Sequence, residues 1–73
     1  MEKVIKVNKV SDIYAFVDAA SRYDSDILVK KGKYVVNGKS LIGIMSIDMS
    51  TGVTVEYSDE SFGNFLDNFE HWF

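Results

Sequence analysis

Between Lys3 and Asn8, apolar and polar positions alternate, with Lys3, Ile5 and Val7 on one face and Val4 and Lys6 on the other. Period two predicts a half-buried strand. The period then changes: Ile13, Phe16, Val17 and Ala20 recur at i, i+3, i+4 and i+7. That stripe predicts a helix of about three turns. Ser11 is placed to cap it, and Asp12 suits the positive end of its dipole. Tyr14, Asp18 and Arg22 fall on a more exposed side, and Asp18 and Arg22 are spaced to pair. Asp24-Ser25-Asp26 breaks the pattern. Ile27–Val29 and Tyr34–Val36 read as strands joined by the short, glycine-containing link Lys30-Lys31-Gly32-Lys33, a hairpin signal. Asn37-Gly38 is a strong turn dipeptide.

Leu41, Ile44 and Met45 have helical spacing, so a short helix capped by Ser40 is expected, with a strand as the alternative for so short an apolar run. Val53-Thr54-Val55-Glu56-Tyr57 alternates and reads as a fourth strand. Ser58 or Asp59 caps a last helix, whose stripe is Phe62, Phe65, Leu66 and Phe69, extended by Trp72 and Phe73. The order β-α-β-β-α-β-α predicts an α+β, open-faced two-layer sandwich, an antiparallel sheet with all helices on one face. A chain of 73 residues is expected to be one domain, residues 1–73.

Composition removes several function classes. Hydrophobic residues make up 47% of the chain and aromatics 14%, which supports a packed core rather than disorder. There is no cysteine, so disulfides and thiolate metal sites are excluded. A net charge of -3 argues against a nucleic-acid partner, and Lys30, Lys31 and Lys33 are read as a solvated hairpin tip. Met1–Lys6 has no apolar core of a signal peptide, and no apolar run approaches the ~20 residues of a membrane span. A cytoplasmic protein without membrane contact or cofactor is expected. The carboxylates Asp24, Asp26, Asp48, Asp59 and Glu60 do not follow a calcium-loop spacing and are read as turn and cap residues. His71 is the only histidine. It is read as a surface residue near a helix end, and no metal site is expected.

The run Asn37-Gly38-Lys39-Ser40-Leu41-Ile42-Gly43-Ile44-Met45-Ser46 resembles the segment leading into the second helix of HPr, the phosphocarrier of the bacterial sugar phosphotransferase system. Phe16-Val17-Asp18-Ala19-Ala20, with Tyr23-Asp24-Ser25-Asp26-Ile27, resembles the end of its first helix and the start of its second strand. Gly52-Val53-Thr54-Val55 resembles its last strand. The resemblance spans nearly the whole chain.

It also implies a loss. HPr carries its phosphohistidine in a Gly-Leu-His-x-Arg-Pro-Ala pattern. Counted back from Phe16-Val17, the histidine position falls on Lys9, the arginine on Ser11 and the proline on Asp12. Phosphoryl transfer needs an imidazole nitrogen to attack phosphorus and an arginine to hold the charge. Lys9 is protonated at neutral pH, and Asp12 repels an incoming phosphate. The expectation is a non-enzymatic, regulatory or protein-binding module, as in HPr paralogues of Gram-positive bacteria that lack the active histidine. Ser40 matches a serine that a dedicated kinase phosphorylates in Gram-positive HPr, where a helix N-terminus favours the phosphate. As a simple N-cap it is worth about 1 kcal/mol. Lys39, Leu41, Ile44, Met45 and Tyr14 are the candidate partner-binding residues. The partners implied are HPr kinase, a transcriptional regulator or other phosphotransferase-system proteins. The alternatives are a phosphocarrier using a different residue, and a purely structural or oligomeric protein. The chain is expected to be a monomer or a weak homodimer, the latter through an edge strand or the Trp72-Phe73 end.

Overall fold

Ile5, Val29, Val53 and Val55 are buried, whereas Val4, Val35 and Thr54, one step out of phase, keep contact with solvent. In the computed structural model, which describes residues 1–67, these positions lie on four strands: β1 (Glu2–Ile5), β2 (Leu28–Lys31), β3 (Tyr34–Asn37) and β4 (Val53–Glu56). The sheet order is β1-β4-β2-β3, and every neighbouring pair is antiparallel. The register aligns the inward residues: Ile5 opposite Val53, Val29 opposite Val55, and Val36 opposite Val29.

Three helices alternate with the strands in the expected order: α1 (Val10–Ser21), α2 (Leu41–Met45) and α3 (Glu60–Leu66). Their inward residues Phe16, Ala20, Ile44, Phe62 and Leu66 join the same buried cluster as the inward sheet residues. The helices therefore form one layer on one face of the sheet. No described helix is long and apolar enough to cross a membrane. The expectations for Phe69, His71, Trp72 and Phe73 lie outside the described residues.

Phe62 is the centre of the helical layer. Its ring meets Phe16, Tyr23 and Tyr57 edge-on, at centroid distances of 5.7, 5.2 and 6.0 Å, and stacks on Phe65 at 5.6 Å. Edge-to-face pairs in this range add stabilisation beyond area burial. One side chain thus ties α3 to α1 and to the residue that follows β4.

The β2–β3 link corrects the expectation for the lysines. β2 runs to Lys31, so only Gly32 and Lys33 form the loop. Lys30 is not at a tip. It points outward from the sheet and pairs with Glu56 at 2.9 Å and Glu2 at 3.7 Å. β2 is flanked on both sides, and its ladders to β4 and β3 continue through polar residues because backbone pairing ignores side-chain polarity. Gly32 takes a positive φ of 58°, which glycine adopts without a Cβ penalty. Ile27, expected in β2, is buried just before it, and its carbonyl accepts from the Gly38 N–H at 2.7 Å.

That close approach fixes Gly38. A Cβ there would lie 2.7 Å from Ile27 Cγ2 and 3.0 Å from the Ile27 carbonyl oxygen. The obstacle includes backbone, so it cannot swing aside. Two stability measurements by urea denaturation follow. Phe62→Ala is expected to cost about 3–5 kcal/mol. Gly38→Ala is expected to cost about 1–3 kcal/mol through overpacking; an unchanged midpoint for either would refute the packing described.

Candidate functional site

The first part of the candidate surface is the start of α1. Lys9 is its N-cap, with extended backbone angles and no side-chain capping bond. The Lys9 carbonyl accepts from the N–H groups of Asp12 at 3.0 Å and Ile13 at 3.1 Å. Ser11 therefore does not cap the helix, as its side-chain chemistry had predicted. It lies within the first turn, exposed. The ladder starts at the first carbonyl that reaches two N–H groups, and Lys9 supplies it whatever its side chain. Asp12 sits in the first turn as expected, where a negative charge is favoured.

The second part is the entry to α2. Ser40 is the N-cap, and its hydroxyl accepts from the Gly43 N–H at 3.1 Å. The turn before it is built on Asn37. The Asn37 carbonyl accepts from the Ser40 N–H at 3.0 Å, and its side-chain oxygen accepts from the Lys39 N–H at 2.9 Å. The Lys39 ammonium donates to the Tyr23 carbonyl, just beyond the end of α1. Lys39 and Ser40 are both half-buried, and α1 packs against α2. Backbone and side chains together hold this corner.

The apolar surface differs from expectation at one residue. Ile44 was expected to face a partner, yet it is fully buried. A five-residue helix has one inward position per turn, and Ile44 fills it. Leu41 is half-buried. The solvent-facing residues are Met45 and Ile42, and Ile42 is 85% exposed. Sequence reasoning missed Ile42 because it stands off the i, i+3, i+4 stripe. That displacement was itself the signal: an apolar residue off the stripe of a buried helix has nowhere to go but solvent. On α1, Tyr14 and Val10 are about half exposed, and Val10 too was missed. The large exposed apolar residues of the two packed helices are thus Val10, Tyr14, Ile42 and Met45.

Residues 13–61 match the family model described as the phosphorylation site of the PTS HPr component. This chain belongs to the HPr family. A 40-residue stretch is 45% identical to the HPr-like protein Crh of Bacillus subtilis, covering 55% of this chain and 47% of that protein. A 60-residue stretch is 33% identical to the HPr-like protein Crh of Halalkalibacterium halodurans, covering 75% and 71%. The matched stretch thus spans about half the length of the first relative. Among solved structures, the phosphocarrier protein HPr of Bacillus anthracis superposes with a TM-score of 0.73 at 28% identity over 96% of both chains. HPr-C-His of Thermoanaerobacter tengcongensis gives 0.76 at 29% identity, over 94% of this chain and 90% of that one. The four-stranded antiparallel sheet with its helical layer is the HPr fold. Within the family match, Ser40 lies inside the matched residues, whereas Lys9, Ser11 and Asp12 precede them.

Three titrating groups of this HPr-family chain, Lys30, Asp48 and Glu56, are shifted by partners outside the starts of α1 and α2. On the open face of the sheet, the hydrogen bond from Lys30 holds the Glu56 carboxyl below the usual carboxylate range, and Glu56 in turn raises the Lys30 ammonium above the ordinary lysine value. Asp48 is also lowered, first by the Ser50 hydroxyl and then by the Ser50 N–H, which it accepts at 2.5 and 3.0 Å. These are structural pairings. For Glu56 and Asp48 the folded-state value is the lower one, so their stabilisation is present above the ordinary carboxylate range and is lost as acid protonates them. For Lys30 the folded-state value is the higher one, so its stabilisation holds at neutral pH and is lost as alkali deprotonates it. Lys30→Met is expected to move the Glu56 titration, followed by side-chain NMR, upward toward ordinary carboxylates while Asp48 stays low. A Glu56 titration that does not move would show that Lys30 is not its partner.

Proposed function

We propose that this chain is a regulatory, protein-docking HPr-family module that does not carry phosphate at the position phosphocarriers use. The supporting observation is the start of α1, where Lys9 caps the helix and Ser11 and Asp12 fill its first turn. An ammonium has no lone pair to attack phosphorus at neutral pH, a serine cannot replace a bidentate guanidinium, and a carboxylate opposes the incoming charge. The fold is kept and the nucleophile is not. The module works in the cytoplasm as a single domain, and its partners are proteins that meet the α1–α2 surface: a kinase, a transcriptional regulator or phosphotransferase-system proteins.

Ser40 is its switch. The hydroxyl stands at the entry to α2, beside Lys39, on the helix that carries the exposed Ile42 and Met45. A phosphate there adds two negative charges beside an apolar surface, which changes what that surface binds. Incubation with HPr kinase and ATP is expected to add one phosphate by intact mass, and none in Ser40→Ala. That variant also loses its cap, costing about 1 kcal/mol. No added phosphate removes the switch and leaves the docking module.

A phosphocarrier using another residue is the competing reading. Phosphoenolpyruvate and the first enzyme of the phosphotransferase system are expected to leave the chain unlabelled, and Lys9→His alone is expected to stay unlabelled too. The triple variant Lys9→His, Ser11→Arg, Asp12→Pro is expected to gain acid-labile phosphate: the proline gives up the Asp12 N–H bond to the residue-9 carbonyl, but the Ile13 N–H keeps that carbonyl paired. Labelling of the unaltered chain would overturn the proposal.

A further inference from the structure

The two edges of the sheet, β1 and β3, are finished differently. On β1, Glu2 reaches Lys30 and Lys3 pairs with Asp67. Just before it, the Met1 amino group donates to the Tyr57 carbonyl at 2.8 Å. Charge along an edge discourages the addition of another strand. On β3, the sequence Tyr34-Val35-Val36-Asn37 has no charge and no proline, and it pairs one-to-one with β2 without a bulge. Tyr34 is 61% exposed and Val35 56%.

The hairpin determines which backbone groups of β3 are free. The two-residue loop Gly32-Lys33 closes on the pair Lys31 and Tyr34, and in such hairpins the closing pair exchanges hydrogen bonds. The alternation puts the next exchanging pair at Val29 and Val36. Val35, between them, turns its N–H and C=O away from β2, toward the open edge.

We infer that β3 is a dimerisation edge: a second copy of this chain pairs with it, antiparallel, about a two-fold axis through Val35, joining the two sheets into one. The chain's own register selects this occupant. Residues that oppose each other in a continuous sheet point to the same face. The two-fold therefore sets Val35 opposite the partner's Val35, Tyr34 opposite the partner's Val36, and Lys33 opposite the partner's Asn37. Val35 then exchanges both backbone hydrogen bonds with the partner's Val35. Apolar meets apolar at all three central pairs, and the nearest cation meets an amide rather than a like charge. On the helical side, each Tyr34 ring reaches the partner's Val36, which lines a cleft with Ser46 and Ile47. One patch pairing with itself closes the assembly at two copies. A strand from another protein would find the same free backbone groups, and it is the self-matching of these side chains that favours a second copy.

The contact is four residues wide, so the dimer is weak, with a dissociation constant on the order of 0.1 mM. Sedimentation velocity of the full chain from about 10 µM to about 1 mM brackets that value. The expected mass rises from 8.3 kDa toward twice that, with amide exchange at Val35 slowing over the same range. Val35→Lys places like charges on the axis and is expected to weaken association by at least about tenfold. Because Val35 is exposed, circular dichroism is expected to show that variant folded. Val35→Thr is expected to dimerise as the parent does. A single 8.3 kDa species throughout would overturn the inference. So would a Val35→Lys chain that dimerises like the parent, a Val35 amide whose exchange ignores concentration, or a mass that climbs past two copies.

Discussion

The helical layer depends on one ring. Phe62 is fully buried and touches aromatic partners from α1, from the residue after β4 and from its own helix. A chain of this size buries a modest fraction of its surface, so its stability must be concentrated in few contacts. Dispersion is additive over contacts and short-ranged. A ring with four aromatic neighbours therefore does more to position α3 than any pair of surface charges. The capping bond of Asp59 to the Ser61 N–H and the Ser61–Tyr23 hydroxyl contact at 3.1 Å orient α3 on that anchor rather than replace it.

The rest of the architecture follows from covering one face of a sheet. The inward face is apolar at its centre, at Ile5, Val29, Val53 and Val55, with Lys3 and Lys31 at the strand ends, and the open face carries Lys30 with Glu56 and Glu2. That ionic group is half exposed and screened by water, so it contributes little to stability. It does fix which face stays wet, because a slip of one residue in register would drive Lys30 and Glu56 into the core. The corner at Asn37–Ser40 has the opposite character: Gly38 is buried against Ile27, and Lys39 reaches the Tyr23 carbonyl. The corner couples the end of β3 to the end of α1.

Much of this was legible in the order of residues. Alternation located β1 and β4, the Ile13–Ala20 stripe located α1, and Ser40 marked the start of α2. What was not legible shares a physical cause: backbone hydrogen bonding that is indifferent to side chains. α1 begins at Lys9 because its carbonyl reaches two N–H groups, although Ser11 is the better capping side chain. β2 runs through Lys30 and Lys31 because strands flank it on both sides. Ile44 failed as a surface residue for a different reason. Spacing shows that Leu41, Ile44 and Met45 share a stripe, but a stripe is as compatible with the core as with a partner. Only packing decides, and it buries Ile44 while leaving Ile42 out.

That distinction governs how the two parts of the candidate site should be weighed. Lys9, Ser11 and Tyr14 are exposed, and their side chains carry no core packing. Packing therefore does not dictate which residues stand there, and the proposed function leans on their chemistry. Lys39 and Ser40 differ. Their turn is held by Asn37, the ammonium of Lys39 reaches across to α1, and the hydroxyl of Ser40 caps α2. The fold uses these residues whether or not any kinase meets them. The likeness of the Asn37–Ser46 run to its relatives is therefore accounted for by structure before regulation enters. The start of α1 is the sharper support for the proposed function, because no core contact fixes the side chain of Lys9.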